Sequence, residues 1–156
     1  MNHWLFKSEP GTFSIEDLAK APKQTTAWDG VRNYQARNMI RDSIKQGDLA
    51  FFYHSSCDLP GIAGIVKIAA DGYPDETAFD PKHHHYDPDS KRAAPRWYVV
   101  DVKLVRAFKQ VITLDELRSH ASSKLKELIV LRRGNRLSVM SVTKKEWDFI
   151  LTLERG

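Results

Sequence analysis

The sequence predicts an α+β domain built on a curled, barrel-like mixed sheet with short flanking helices. Strand-length apolar runs alternate irregularly with short amphipathic segments, and no βα unit repeats along the chain. Helix-start signals recur at Ser14, Thr113 and Thr143, each followed three residues later by an acid. A length of 156 residues with 42% hydrophobic content suits one domain with one sizeable core.

The elements follow in order. His3 to Lys7 reads as an opening strand, closed by Ser8-Glu9-Pro10-Gly11. Ser14-x-x-Asp17 caps a short helix with Ile15 and Leu18 on its apolar side. Trp28-Asp29-Gly30-Val31 has no periodicity and predicts a loop. From Asn33 to Ile44 the spacing is helical, with Ala36, Met39, Ile40 and Ile44 on one side and Arg37 and Arg41 one turn apart on another. Leu49 to Tyr53 reads as a buried strand, and Pro60-Gly61 turns into a second over Ile62 to Ala69. Residues 71–95 carry four prolines and read as a long loop, which in a compact domain is functional or ordered by its own packing. Trp97 to Phe108 gives the clearest strand alternation. Thr113 opens a short helix through Leu117, and Leu125, Leu128 and Ile129 predict another that ends at Gly134. A strand over Leu137 to Val142 and a last helix with Trp147, Ile150 and Leu151 on one face complete the chain.

Composition narrows the functional classes. No apolar run approaches the roughly 20 residues that span a bilayer, and Met1 to Lys7 lacks the pattern of a secretory signal. No membrane partner is expected, and a cytoplasmic location follows, or a nuclear one in a eukaryotic host. A single cysteine, Cys57, excludes an internal disulfide and a cysteine-based zinc cluster. The net charge of +4 is unevenly spread. Residues 71–90 hold six acids against Lys82, a net −5 that leaves +9 on the rest of the chain. Such asymmetry fits a phosphate-facing surface beside an acidic loop, and it also fits scattered solvated charge.

Catalytic and metal signals are weak. His54-Ser55-Ser56-Cys57 holds nucleophile and base residue types, but adjacency does not set their geometry and no nucleophile-elbow glycines surround them. His83-His84-His85 lacks partners at metal-ligand spacing and reads as a solvated loop. There is no phosphate-binding glycine loop or dinucleotide fingerprint, so no cofactor is expected.

Aromatic residues carry a stronger signal. Trp28, beside Thr26 and the Asp29-Gly30 pair, and Trp97, after Pro95-Arg96, lie near loop boundaries where a flat heterocycle could stack. Stacking contributes ~1–3 kcal/mol for any base; discrimination must come from hydrogen bonds to the base edge and from contact with an added methyl. Trp147 and Trp4 read as core. Lys7, Arg32, Arg37 and Arg41, and later Arg133 and Arg136 with Arg132, are the cations available to phosphates flanking such a slot.

Residue blocks in order along nearly the whole chain resemble the EVE domain family. They include Trp4-Leu5-Phe6-Lys7-Ser8-Glu9-Pro10, Trp28 to Asn38 (WDGVRNYQARN), Phe51-Phe52-Tyr53-His54-Ser55, and Tyr73-Pro74-Asp75. They continue through Tyr86-Asp87-Pro88, Pro95-Arg96-Trp97, Arg133-Gly134-Asn135-Arg136 and Glu146-Trp147. The resemblance implies a PUA-like β-barrel with helices around it, similar to the YTH readers of N6-methyladenine, and a single domain over residues 1–156. It implies a reader of modified bases, with modified cytosine in DNA as the leading class. By position, Trp28 resembles the tryptophan against which a base stacks, with Asp29 beside it. Ser8 and Asn33 resemble polar walls, Ser55 a rim residue, and Trp97 a second aromatic. No second loop tryptophan stands where adenine-reading relatives carry one.

The reading that follows is a binding module for nucleic acid carrying a modified base, joined by an effector protein in trans. Two alternatives stay open: a sensor of a free nucleobase or nucleotide, or an RNA-modification reader, using the same slot. An enzyme with His54 as general base is a third class.

Overall fold

In a computed structural model, described over residues 1–155, the central strands are buried on both faces, which is why they read as near-continuous apolar runs. β1 (His3–Ser8) sends Trp4 and Phe6 to one face and Leu5 to the other. β3 (Leu49–His54), parallel to it, divides Ala50 and Phe52 from Phe51 and Tyr53 in the same way. One face is covered by α1 (Ile15–Lys20) and α2 (Tyr34–Asn38). The other is covered by α3 (Leu114–Arg118) and α4 (Lys144–Leu151), with Trp147 stacked on Phe51 at 3.9 Å between ring centres. Phe6, Phe51 and Phe52 have no exposed area, and burying each side chain contributes about 1.5–3 kcal/mol.

The sheet is a six-stranded mixed half-barrel. β2 (Thr25–Ala27) lies at one edge, followed by β7 (Asp101–Thr113), β4 (Gly61–Ile68), β3, β1 and, at the far edge, β8 (Val139–Val142). Only β1 and β3 run parallel; the remaining pairs are antiparallel. Register breaks at Phe52/Tyr53, Ile62/Gly64 and Ile65/Val66 supply the curl, since a bulge adds bend and twist. At Gly64 a side chain would meet the Arg106 carbonyl at 2.5 Å, so only glycine permits that approach.

The capping expectations hold at Ser14 and Thr143, where both halves of the capping box form. At Thr113 the side chain accepts from the Glu116 N–H. Other elements depart from expectation. The helix expected over Asn33 to Ile44 starts at Tyr34 and widens into a π-helical turn over Met39–Ser43, where the Ile44 N–H reaches back to Met39. The helix expected around Leu125 is instead a run of turns with a 3-10 turn at Ile129–Leu131. Leu128 there is extended at ψ 121, and Leu125 and Leu128 are buried and held by turn bonds, Leu125 N–H to the His120 carbonyl at 3.0 Å and Leu128 N–H to the Leu125 carbonyl at 3.2 Å. The strand expected from Trp97 to Phe108 divides at Val100. β6 (Tyr98–Val99) pairs with β5 (Tyr73–Pro74), while β7 runs on five residues past Phe108. The acidic segment is ordered by its own bonds, among them Asp87 N–H to the Ala78 carbonyl at 3.0 Å. Among the described residues, no helix is long and apolar enough to cross a membrane.

Candidate functional site

The end of β1, the loop after β2 and the acidic segment meet around an open cleft of about 620 Å³. Trp28 forms its aromatic wall. The indole is fixed by edge contacts from Phe6 at 5.2 Å and Phe52 at 5.5 Å, while its backbone N–H bonds the Val100 carbonyl at 2.8 Å. With 9% of its surface exposed, the ring is pre-positioned and has little freedom to lose on binding a ligand.

Four residues singled out from the sequence line this cleft together: Lys7, Ser8, Trp28 and Asp29. The Ser8 hydroxyl donates to the Phe13 carbonyl at 2.5 Å, leaving its oxygen lone pairs as acceptors. Ser55 lies just behind, its hydroxyl donating to the Ser8 carbonyl at 3.4 Å, and it does not line the cleft. Asn33 caps α2, its side chain accepting from Ala36 N–H at 3.0 Å, and also lies outside the lining. Trp97 is buried, bonded through its Nε1–H to Asp87 at 2.6 Å and stacked on the half-exposed Tyr34.

The cations divide into two sets. Arg32 pairs with Asp75 at 3.0 Å and donates to the His85 carbonyl at 2.6 Å. Arg37 donates to the Arg96 carbonyl at 2.6 Å, and Arg41 pairs with its neighbour Asp42 at 2.8 Å. Arg133 and Arg136 are exposed on the turn leading to Ser138, a cleft residue whose carbonyl accepts the Lys7 N–H at 2.7 Å. Those two, with Lys7 in the lining itself, make up the second set.

Asp75 was not a residue that sequence reasoning selected, yet it ties the cleft together. It is 1% exposed and accepts from Gly30 N–H, Arg32, and the Thr77 N–H and hydroxyl. Burial alone would raise its carboxyl, but these bonds outweigh burial and hold it below the ordinary 3.8. The acidic segment is thereby clamped onto the Trp28 loop and brings His83, His84 and His85 into the lining. A partner 43 residues away in sequence leaves no local signal.

Gly30 completes the clamp. Its φ of +75 favours glycine, and an added Cβ would stand 2.5 Å from the His85 ring. Gly30→Ala is therefore expected to cost about 1–2 kcal/mol from the left-handed backbone alone, plus displacement of His85. A melting-temperature decrease in thermal unfolding checks this.

His54 has a structural role. Its Nε2 accepts the Ile15 N–H at 3.1 Å, satisfying one of the free donors that begin α1. Burial lowers its pKa from 6.5, which favours the neutral ring whose Nε2 lone pair accepts this bond. Because the unfolded chain binds the proton more readily, this contribution is complete above about pH 6.5 and is lost as pH falls through the folded value. His54→Gln, which retains an acceptor, is expected to weaken the loss of stability between about pH 7 and 5, as read by denaturant melts. His3, lowered by burial and by Lys144, retains its share of that dependence.

Comparison with known proteins matches the EVE domain over residues 2–153. Human thymocyte nuclear protein 1 is 51% identical over 168 residues, covering 98% of this chain and 74% of that protein. The crystal structure of human THYN1 in complex with 5-methylcytosine-containing DNA superposes with a TM-score of 0.93 at 49% identity, covering 100% of this chain and 99% of the other. A Pseudomonas syringae protein, PSPTO5229, shares 48% identity with a TM-score of 0.90 over 97% of this chain and 98% of its own. A match of this extent, over a shared half-barrel, places the chain in the EVE domain family.

Proposed function

We propose that the chain is a non-catalytic reader, a single EVE domain that binds DNA and takes a modified cytosine, 5-methylcytosine foremost, into the cleft beside Trp28. The observation that carries this reading is the fixed indole wall, flanked by the acceptor groups of Ser8 and Asp29, in a cleft of ligand-binding size. The likeness to a relative crystallised with 5-methylcytosine-containing DNA supports the choice of base. In a duplex the base must leave the stack, which costs a few kcal/mol. One stacked ring at ~1–3 kcal/mol and edge bonds roughly offset that cost, so the isolated domain binds weakly. Lys7, Arg133 and Arg136 are assigned to the flanking phosphates, and any effector activity comes from a partner protein in trans.

A second reading has its own support. Arg32 and Arg37 are committed to partners within the chain, which favours a free nucleobase or nucleotide as the occupant. Fluorescence anisotropy separates the two, with matched oligonucleotides carrying cytosine, 5-methylcytosine or N6-methyladenine, at two salt concentrations. The reader predicts preference for 5-methylcytosine and affinity that falls with salt, with a log–log slope of about −2 to −3 for three phosphate contacts. Equal binding to all three oligonucleotides, or salt-insensitive binding to the free nucleoside alone, contradicts it.

A further inference from the structure

At the cleft mouth the structure gathers three imidazoles that sequence spacing left as a solvated loop. The rings of His83, His84 and His85 lie 3.9–4.7 Å apart between centres, and one nitrogen from each falls within 4.8 Å of the others. All three line the cleft.

The hydrogen bonds around His85 favour one tautomer of its ring. The Thr77 hydroxyl has a single proton, which it donates to the Asp75 carboxylate at 2.6 Å. Toward His85 Nδ1, 3.4 Å away, Thr77 therefore presents a lone pair, which in the neutral ring favours the proton on Nδ1 and leaves Nε2 as the lone-pair nitrogen. A carboxylate acting through a hydroxyl on an imidazole is the outer support that metal-binding histidines use to hold ring orientation. His84 is exposed, with its ring against those of both neighbours. The Nδ1 of His83 accepts the His85 N–H at 3.0 Å, so ligation by His83 exchanges that bond for one to a metal.

We propose that His83, His84 and His85 bind one divalent transition-metal ion of the zinc, cobalt, nickel or copper class at the mouth of the cleft. An all-imidazole set suits these ions and not magnesium or calcium. With metal–nitrogen bonds of about 2.0–2.1 Å, tetrahedral ligands stand roughly 3.3 Å apart. The cluster reaches that spacing by rotation of the exposed His84 and release of His83 from its backbone bond. Three protein ligands leave a fourth position for water or an oxygen ligand; a phosphate oxygen of bound nucleic acid is the occupant if the reader assignment above is right. The metal site itself does not depend on that assignment.

Cobalt titration of the untagged full chain, without nucleic acid, tests the proposal. One equivalent of Co²⁺ is expected to develop visible d–d absorption and to be displaced by Zn²⁺. His84→Ala, at an exposed position, is expected to weaken binding by at least about tenfold. His120→Gln, remote from the cleft, is expected to leave binding unchanged. Absence of the absorption in millimolar excess of cobalt overturns the proposal, and so does equal affinity in His84→Ala. Because no nucleic acid is present, either failure leaves the base-reading assignment standing.

Discussion

Trp28→Ala is expected to remove 5-methylcytosine-dependent DNA binding, with affinity falling about tenfold to a hundredfold. The magnitude follows from the ~1–3 kcal/mol that one stacked base contributes. The same substitution opens a cavity between Phe6 and Phe52, and truncating a buried tryptophan costs about 3–5 kcal/mol. Loss of binding alone would therefore not separate a missing wall from a loosened fold. Trp28→Phe makes the distinction, because it keeps an aromatic between the two phenylalanines and removes only part of the stacking surface. It is expected to melt closer to the parent protein and still bind severalfold more weakly. Calorimetry for the fold and anisotropy for the DNA check the two effects independently. Unchanged affinity in Trp28→Phe and Trp28→Ala alike would remove Trp28 from the site.

Asp75→Ala is expected to destabilise the protein by about 2–4 kcal/mol, somewhat less than the roughly 3–5 kcal/mol for breaking a fully buried pair, because Arg32 retains 26% exposure and recovers some solvation. It removes the acceptor shared by Gly30, Arg32 and Thr77, so the acidic segment loses its clamp on the Trp28 loop. Urea denaturation reads the stability. Exchange protection of the Gly30 and Thr77 amides is expected to fall further than protection on β3, which marks the effect as local. The sign of the acid dependence is fixed by the same bonds. With its folded pKa below the ordinary 3.8, Asp75 contributes stability above that value and loses it as pH falls through the folded one. Asp75→Asn is expected to remove that part of the acid sensitivity.

Much of the fold was legible because it is written in local patterns. Ser14 and Thr143 begin helices through bonds to residues three positions on, and the double-faced burial of β1 and β3 follows from unbroken apolar runs. The short edge strand at Thr25–Ala27 left no such trace, because its order comes from pairing with β7. Leu125, Leu128 and Ile129 have helical spacing, but the same spacing serves successive turns over a core. At the site, Trp28, Asp29, Ser8 and Lys7 were selected and converge. Arg32, Arg37 and Trp97 illustrate the limit of that reading: each carries a residue type suited to nucleic acid, and each is engaged by a partner distant in sequence. The clamp from Asp75, and the histidines it brings to the cleft, arise from tertiary closure alone.

Fluorine NMR of the protein labelled with 5-fluorotryptophan tests base capture at Trp28 most directly, since the chain has four tryptophans and each gives one signal. Trp28 is assigned by its disappearance in Trp28→Phe, and the buried Trp4 and Trp147 serve as internal references. On saturation with a duplex carrying one 5-methylcytosine, the Trp28 signal is expected to shift most while Trp4 and Trp147 stay near their free positions. The unmethylated duplex at the same concentration is expected to shift it less. A saturated complex in which the Trp28 signal does not move would contradict capture of the base at this cleft.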